Sequence, residues 1–288
     1  MIQAVMGQLL IGLINGSFYA LLSLGLAIIF GLLNVVNFAH GAQYMLGAFV
    51  AWMAMQYLHI NYWWALILTP LAVGILGMIF ERLILRRIYG LDPLYGLLLT
   101  FGVALVLEGI FQNAFGISGN SYPVPDLLQG GTNLGFMFLP RYRVWVVVVS
   151  IAVCFSSWFM IEKTRLGSYL RAGTENPALL QAFGVNVPLM LTLTYGYGVA
   201  LAALAGVMAA PIYQVTPLMG SGVIMVVFAV VVIGGMGSIA GSIVTGLGLG
   251  LIEGLTKFLY APASDVVVFI VMALVLLLRP AGLFGRQR

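Results

Sequence analysis

The sequence predicts an all-α fold: a bundle of about eight membrane-spanning helices, with broken or re-entrant segments and a two-fold internal repeat. Three observations carry that prediction. The 288 residues include only 12 Lys+Arg and 8 Asp+Glu, 7% of the chain, while 62% are hydrophobic. A soluble domain is roughly 45–50% apolar and roughly 25% charged, and so few charges could not cover its surface. The charges are also unevenly spread: the first is Glu81, and residues 176–252 carry none, so each uncharged block has room for about three spans of ~20 residues. Finally, the apolar runs are continuous, which favours helices over the alternating strands of a barrel. A soluble enzyme, a nucleic-acid-binding domain and a disordered chain are excluded on these grounds.

Taken along the chain, spans are predicted at 7–33, 41–57, 62–80, 94–114, 144–161, 187–210, 222–234, 239–255 and 265–279. Residues 1–7 contain no basic residue, and the apolar run to Leu33 is too long for the core of a signal peptide, so 7–33 reads as a retained helix. Segment 222–234 is short and precedes a Gly-rich stretch, the pattern of half a broken helix.

Basic residues set the orientation. Arg82, Arg86 and Arg87 follow the third span, Lys163, Arg165 and Arg171 the fifth, and Arg279, Arg286 and Arg288 close the chain. The positive-inside rule places all three clusters in the cytoplasm and leaves Arg141, Arg143 and Lys257 outside. Three spans before the first cluster put the N-terminus outside, or inside if 7–33 or 41–57 is re-entrant. The longest outer loop, 115–143, is dense in Pro and Gly and is predicted to be irregular. It reads equally well as a connector or as a contact surface.

Two apolar stretches carry helix-breaking polar sequence. One runs from Asn34 through Asn37, His40 and Gly41 to Gln43; the other runs from Gly234 through Gly235, Gly237 and Ser238 to Ser242. Irregular backbone at membrane depth survives only when buried in protein or facing a water-filled cavity, and transporters place such breaks near the substrate path, in matching positions of two repeats. The echo of Ala39-His40-Gly41 in Ile239-Ala240-Gly241 hints at two related halves, with chance matching of small residues as the rival explanation. His40 has no carboxylate near it in sequence, so a buried hydrogen-bonding role is the better reading than proton transfer. Asn34, Asn37 and Gln43 are expected to cap the broken helices, and His59 to lie at the interface.

Glu108 and Glu253 are the acids most deeply set in apolar sequence, and intramembrane acids are functional candidates by default. Glu253 has Lys257 four residues later, the order that favours a helical ion pair. Glu108 has no evident partner. Cys154 is alone, without a disulfide or metal-site partner, and reads as a small apolar residue. The 36 glycines point to close helix packing; no phosphate-binding glycine motif and no nucleophile–base spacing is present.

The loop 162–186 is the most polar segment. Thr174 or Asn176 can cap a short helix over 177–183, with Pro177 in its first turn and Gly184 as its stop. Two turns are not stable alone, so this helix is expected to dock into a cytoplasmic partner.

At this loop the sequence becomes familiar. Gly167-x-x-x-Arg171-Ala172 through Ala182-x-Gly184, then Ala202-Ala203-Leu204-Ala205-Gly206, resemble the permeases of branched-chain amino-acid ABC importers, specifically their LivH-type subunit. Asn15-Gly16-x-x-Tyr19-Ala20-Leu21, Val36-Asn37-Phe38-Ala39-His40-Gly41, Gly234-Gly235-Met236-Gly237-Ser238 and Leu278-Arg279-Pro280-x-Gly282-Leu283-Phe284-Gly285 fit the same family. The resemblance implies one transmembrane permease domain over 1–288 in a bacterial inner membrane, surrounded by lipid and without a role in nucleic-acid binding. It also implies a second related permease, two cytoplasmic ATPases that hold the ATP and Mg2+, and a periplasmic substrate-binding protein; the chain itself would bind no cofactor and catalyse no reaction. Arg171, Glu175, Pro177, Ala182 and Gly184 would couple it to the ATPases. Asn37, His40, Gly41, Gln43, Glu108, Gly235, Gly237 and Ser238 would line or brace the path. Urea and short-amide permeases share such motifs, so leucine, isoleucine and valine are the first expectation for the substrate and small amides the second. A self-contained secondary transporter and a non-transporting assembly subunit are the remaining alternatives.

Overall fold

The computed structural model describes residues 2–33 and 35–285; Asn34, Arg286 and Arg288 lie outside the described residues. It is helical almost throughout. Among the described residues nine helices form the bundle: α1 (Ile2–Leu33), α2 (Ala39–Leu58), α3 (Tyr62–Leu83), α4 (Pro93–Phe115), α5 (Arg141–Lys163), α8 (Val187–Ala209), α9 (Met219–Gly234), α10 (Ile239–Leu259) and α11 (Ser264–Leu278). Two short helices, α6 (Arg165–Glu175) and α7 (Pro177–Ala182), lie between α5 and α8. Every predicted span falls on one of the nine. Among the described residues seven segments are long and apolar enough to cross a membrane by themselves; α2, with its polar start, and the shorter α9 are not among them.

Local chemistry sets the helix ends. Asn61, Asp92, Asn186 and Ser238 each accept a hydrogen bond from a backbone N–H in the first turn of α3, α4, α8 and α10, satisfying donors that have no partner inside the helix. Gly235 closes α9 at φ 99° and Gly237 follows at φ 86°, a reversal open to glycine. This turn packs against Gly31 near the end of α1 and against Gly285 in the segment after α11.

Helices α1 and α8 are central. The first packs on α10, α8, α5 and α9, the second on α3, α1 and α2. Their glycines allow backbone-to-backbone contact: a Cβ at Gly250 of α10 would lie 2.3 Å from the Gly16 Cα of α1, so the abundance of glycine is a packing device. The start of α1 is fixed by Gly7, which faces Met137 in the 115–143 loop. The chain therefore enters the bundle at the end opposite Arg82, Arg86 and Arg87, the first of the two arrangements that the charge clusters allow.

The 115–143 loop is more ordered than its composition predicts. Gly131–Asn133 and Phe138–Pro140 form a small antiparallel hairpin, β1 and β2. Asn120 exchanges two 2.9 Å backbone hydrogen bonds with Val215, which ties the loop to the segment feeding α9.

Three expectations need correction. The first concerns the 162–186 loop, which contains a second helix, α6, besides the expected one; its polarity masked an amphipathic helix that buries Leu170. Another is the Glu253–Lys257 ion pair, which does not form among the described residues. Glu253 instead turns to α1 and accepts hydrogen bonds from Tyr19 Oη at 2.8 Å and Asn15 Nδ2 at 3.4 Å, because the glycine contact brings those groups within reach. The third is the capping role of Asn37 and Gln43: α2 begins after Phe38 without a side-chain cap, and the two amides point elsewhere.

Candidate functional site

The site grows from the break between α1 and α2. Helix α1 has 32 residues, about 48 Å at 1.5 Å per residue, and α2 does not restart at its end. Residues 35–38 run back as non-helical chain, and α2 begins beside the middle of α1, where His40 Nε2 lies 3.0 Å from the Leu22 carbonyl oxygen. The retracing backbone is held by Thr100 of α4, whose hydroxyl accepts from the Phe38 N–H at 3.1 Å and lies 3.2 Å from the Val36 carbonyl oxygen, which shares the hydroxyl proton with the Gly96 carbonyl at 2.9 Å. Buried backbone groups must be satisfied in this way.

Asn37 and Gln43 meet Tyr195 of α8. Its hydroxyl accepts from Asn37 Nδ2 at 3.2 Å and from Gln43 Nε2 at 3.0 Å, and the two amides bond each other at 3.3 Å. All three residues are buried. The knot thus joins α2 to α8 and braces the break. Tyr195→Phe removes the shared oxygen and leaves two buried donors without it, so a loss of about 1–3 kcal/mol is expected. It would be read as a lower denaturation midpoint in detergent; an unchanged midpoint rules out the bracing role.

A second buried group lies toward the inner end. Glu81, fully buried, accepts from Thr192 Oγ1 of α8 at 2.6 Å and from Tyr89 Oη at 3.0 Å. Burial, with the adjacent Glu81 carboxylate, holds the Tyr89 hydroxyl above its ordinary pKa, so it remains a donor. In sequence Glu81 is only the first charge of the chain, just beyond the predicted span 62–80; its hydrogen bond to Thr192, 111 positions away, reveals the role.

The break also has a counterpart. The segment 210–218 comes back from the outer end, and α9 starts inside the bundle, directly against the start of α2. A Cβ at Gly41 would lie 2.6 Å from the Gly220 carbonyl oxygen, and one at Gly220 would lie 2.2 Å from that of Gly41. Two antiparallel helices therefore begin side by side within the bundle. The stretch 234–242, expected to correspond to 34–43, forms the inner-end turn described above, where Gly235 is buried against the C-terminal segment and Ser238 caps α10. Of the expected path residues, Gly41 and Glu108 share the wall of one cavity; Asn37, His40 and Gln43 lie in the brace, and Gly235, Gly237 and Ser238 at the inner end.

The expected docking helix sits at that inner end. Asn176 caps α7 by accepting from the Leu179 N–H at 2.9 Å, Pro177 opens it, and Gly184 terminates the turn at φ 82°. Leu180 tucks beneath, onto Gly173 of α6, while Glu175, Pro177, Leu179, Ala182 and Phe183 are exposed. Arg171 is held back toward the bundle, with Nη1 3.4 Å from Glu162 Oε2 and 3.3 Å from the Ile161 carbonyl oxygen.

The sequence has relatives among known permeases. Residues 8–276 match the family described as branched-chain amino acid transport system / permease component. The chain is 32% identical to the high-affinity branched-chain amino acid transport system permease protein BraD of Pseudomonas aeruginosa, covering 97% of this chain and 95% of that one. It is 30% identical to the corresponding permease protein LivH of Escherichia coli K12, with the same coverage. A shorter match, 32% identical over 47% of this chain and 43% of the other, is to the ribose import permease protein RbsC of Escherichia coli K12. No solved structure matches.

Proposed function

The chain belongs to the permease-component family of branched-chain amino acid transport systems, and on that premise we propose that it is the membrane subunit through which an ATP-binding-cassette importer moves leucine, isoleucine and valine inward. It is a multi-pass inner-membrane protein and a component of transport. The energy source is the part to be inferred. Few ionisable groups lie within the spans, and most of those are taken up structurally: Glu81 and Glu253 are hydrogen-bonded to neighbouring helices and His40 to a backbone carbonyl, while Glu108 lines a cavity. Ion coupling needs groups that change partners during the cycle, and this arrangement favours energy delivered from outside the chain.

The observation that carries the reading is α7. A capped two-turn helix that exposes Leu179 and Phe183 at the basic end of the bundle has no stability of its own and suits a groove on a cytoplasmic ATPase. Two such ATPases would hold the ATP and Mg2+, a second related permease would complete the pathway, and a periplasmic binding protein would deliver the amino acid. Arg171, Glu175, Pro177, Ala182 and Gly184 form the coupling element, and the paired helix starts at Gly41 and Gly220 mark the path.

Two measurements test this. Proteoliposomes holding the chain with its permease, ATPase and binding-protein partners are expected to accumulate leucine only with ATP inside the ATPase compartment; accumulation by the purified chain alone, driven by an ion gradient, would refute the proposal. Gly184→Val forces a β-branched residue into a left-handed conformation at a cost of roughly 1–2 kcal/mol and shifts the end of α7. The complex should then assemble but hydrolyse ATP with leucine transport reduced about tenfold or more. Normal transport per ATP in this variant, and in Glu175→Ala, would remove α7 from coupling.

A further inference from the structure

The two helix starts and Glu108 line a cavity of about 180 Å3 between α2, α4 and α9. Glu108 is 9% exposed and lines it; no hydrogen bond or ion pair to its carboxyl is found among the described residues. Buried Glu81 and half-buried Glu253 each have two donors, as burial of a carboxyl demands. A lone acid at membrane depth faces a cavity or a partner rather than lipid.

The rest of the wall has the opposite polarity. Gly41 and Ala42 belong to the first turn of α2, Gly220 and Ser221 to the first turn of α9. Neither start carries a side-chain cap. Helix starts present unpaired N–H groups and the positive end of the helix dipole. Phe101, Leu105, Ile224 and Met225 supply an apolar remainder.

We propose that this cavity is a subsite for a zwitterionic aliphatic amino acid, in which Glu108 receives the α-ammonium, the uncapped first turns of α2 and α9 receive the α-carboxylate, and the apolar wall receives the side chain. The proposal rests on the permease reading and adds to it where and by which groups the substrate is recognised. One small compartment offers a negative charge, positive dipole ends and an apolar surface. A neutral amide would leave Glu108 unpaired, and an α-keto acid would lack the cation.

The test uses the reconstituted complex in which Cys154, buried between other helices, is replaced by Ala and Ser221→Cys places a thiol at the cavity mouth. L-leucine is expected to slow labelling of that thiol by a charged thiol reagent, and 4-methyl-2-oxopentanoate, which has the same side chain without the ammonium, is not. With Glu108→Gln added, the leucine concentration giving half protection should rise about 10- to 100-fold, the value of one hydrogen-bonded charge. Co-purification with the ATPases reports that the variant is folded. If it does not fold, Ala104→Leu narrows the same wall from α4 and should weaken protection by leucine more than by alanine. Equal protection by leucine and the keto acid, an unshifted half-protection in Glu108→Gln, or no protection in a complex that transports leucine would each overturn the subsite. A wild-type complex that hydrolyses ATP but moves no branched-chain amino acid would instead refute the permease reading.

Discussion

Gly206→Val is expected to abolish the folded permease. A Cβ at position 206 would fall 2.1 Å from the Tyr44 carbonyl oxygen and 2.8 Å from the Ala48 nitrogen. Across the same contact, a Cβ at Gly47 would fall 2.3 Å from the Ala203 carbonyl oxygen. Both surfaces are backbone, so no side chain can move aside and α2 must separate from α8. Overpacking of cores ordinarily costs about 1–3 kcal/mol, occasionally more, and this site belongs at or above the upper end. Separation would also pull Asn37 and Gln43 away from Tyr195, compounding the loss. The measurement is the yield of monodisperse protein in detergent and its denaturation midpoint. Gly102→Ala in α4, where an added Cβ meets nothing within 4 Å, should behave as wild type. A Gly206→Val protein with the wild-type midpoint would mean that α2 and α8 do not touch.

Phe183→Asp is expected to detach the ATPases without harming the bundle. Phe183 is 78% exposed and Leu179, one turn earlier, 55%; a pair of large apolar side chains at the aqueous end of a membrane protein has a reason to be there only if something covers it. Truncation of a central interface residue costs about 2 kcal/mol or more, and a buried charge adds to that. Affinity for the ATPases should fall about 30-fold or more, seen as loss of co-purification and of ATP-driven leucine uptake. The denaturation midpoint of the permease itself should not move. Contrast with Gly184→Val is informative: one variant loses the partner, the other keeps it and loses transmission. Retained ATPase binding in Phe183→Asp would move the docking surface elsewhere.

How much of this was legible in the sequence differs by element. Segment 222–234 was recognisable as short and broken, and α9 spans Met219–Gly234. The short helix expected over 177–183 was legible almost to the residue, because Asn176, Pro177 and Gly184 are local signals acting at its two ends. The neighbouring α6 was not, since a charged stretch such as Arg165–Glu175 gives the same impression whether helical or extended. For the candidate site, residue types were visible and partners were not. Asn37 and Gln43 were marked as polar residues at a break, but Tyr195, which holds them, is 158 and 152 positions away. Gly220, which meets Gly41, lay in a stretch that gave no signal at all.

The sequence by itself determined that the chain is a membrane bundle, where its long apolar helices run and which end carries the basic residues. These follow from rules that act one segment at a time: about 20 apolar residues per crossing, basic residues held on one side, caps within a turn. Only the tertiary structure decided which polar groups pair, that Glu253 faces Tyr19 instead of Lys257, and that two helices begin against each other beside Glu108, which has no partner among the described residues. In lipid, helices gain little from burying apolar surface against one another. Their arrangement is set by where glycines let backbones touch, and that contact, between residues far apart in the chain, fixes the neighbours of every polar side chain.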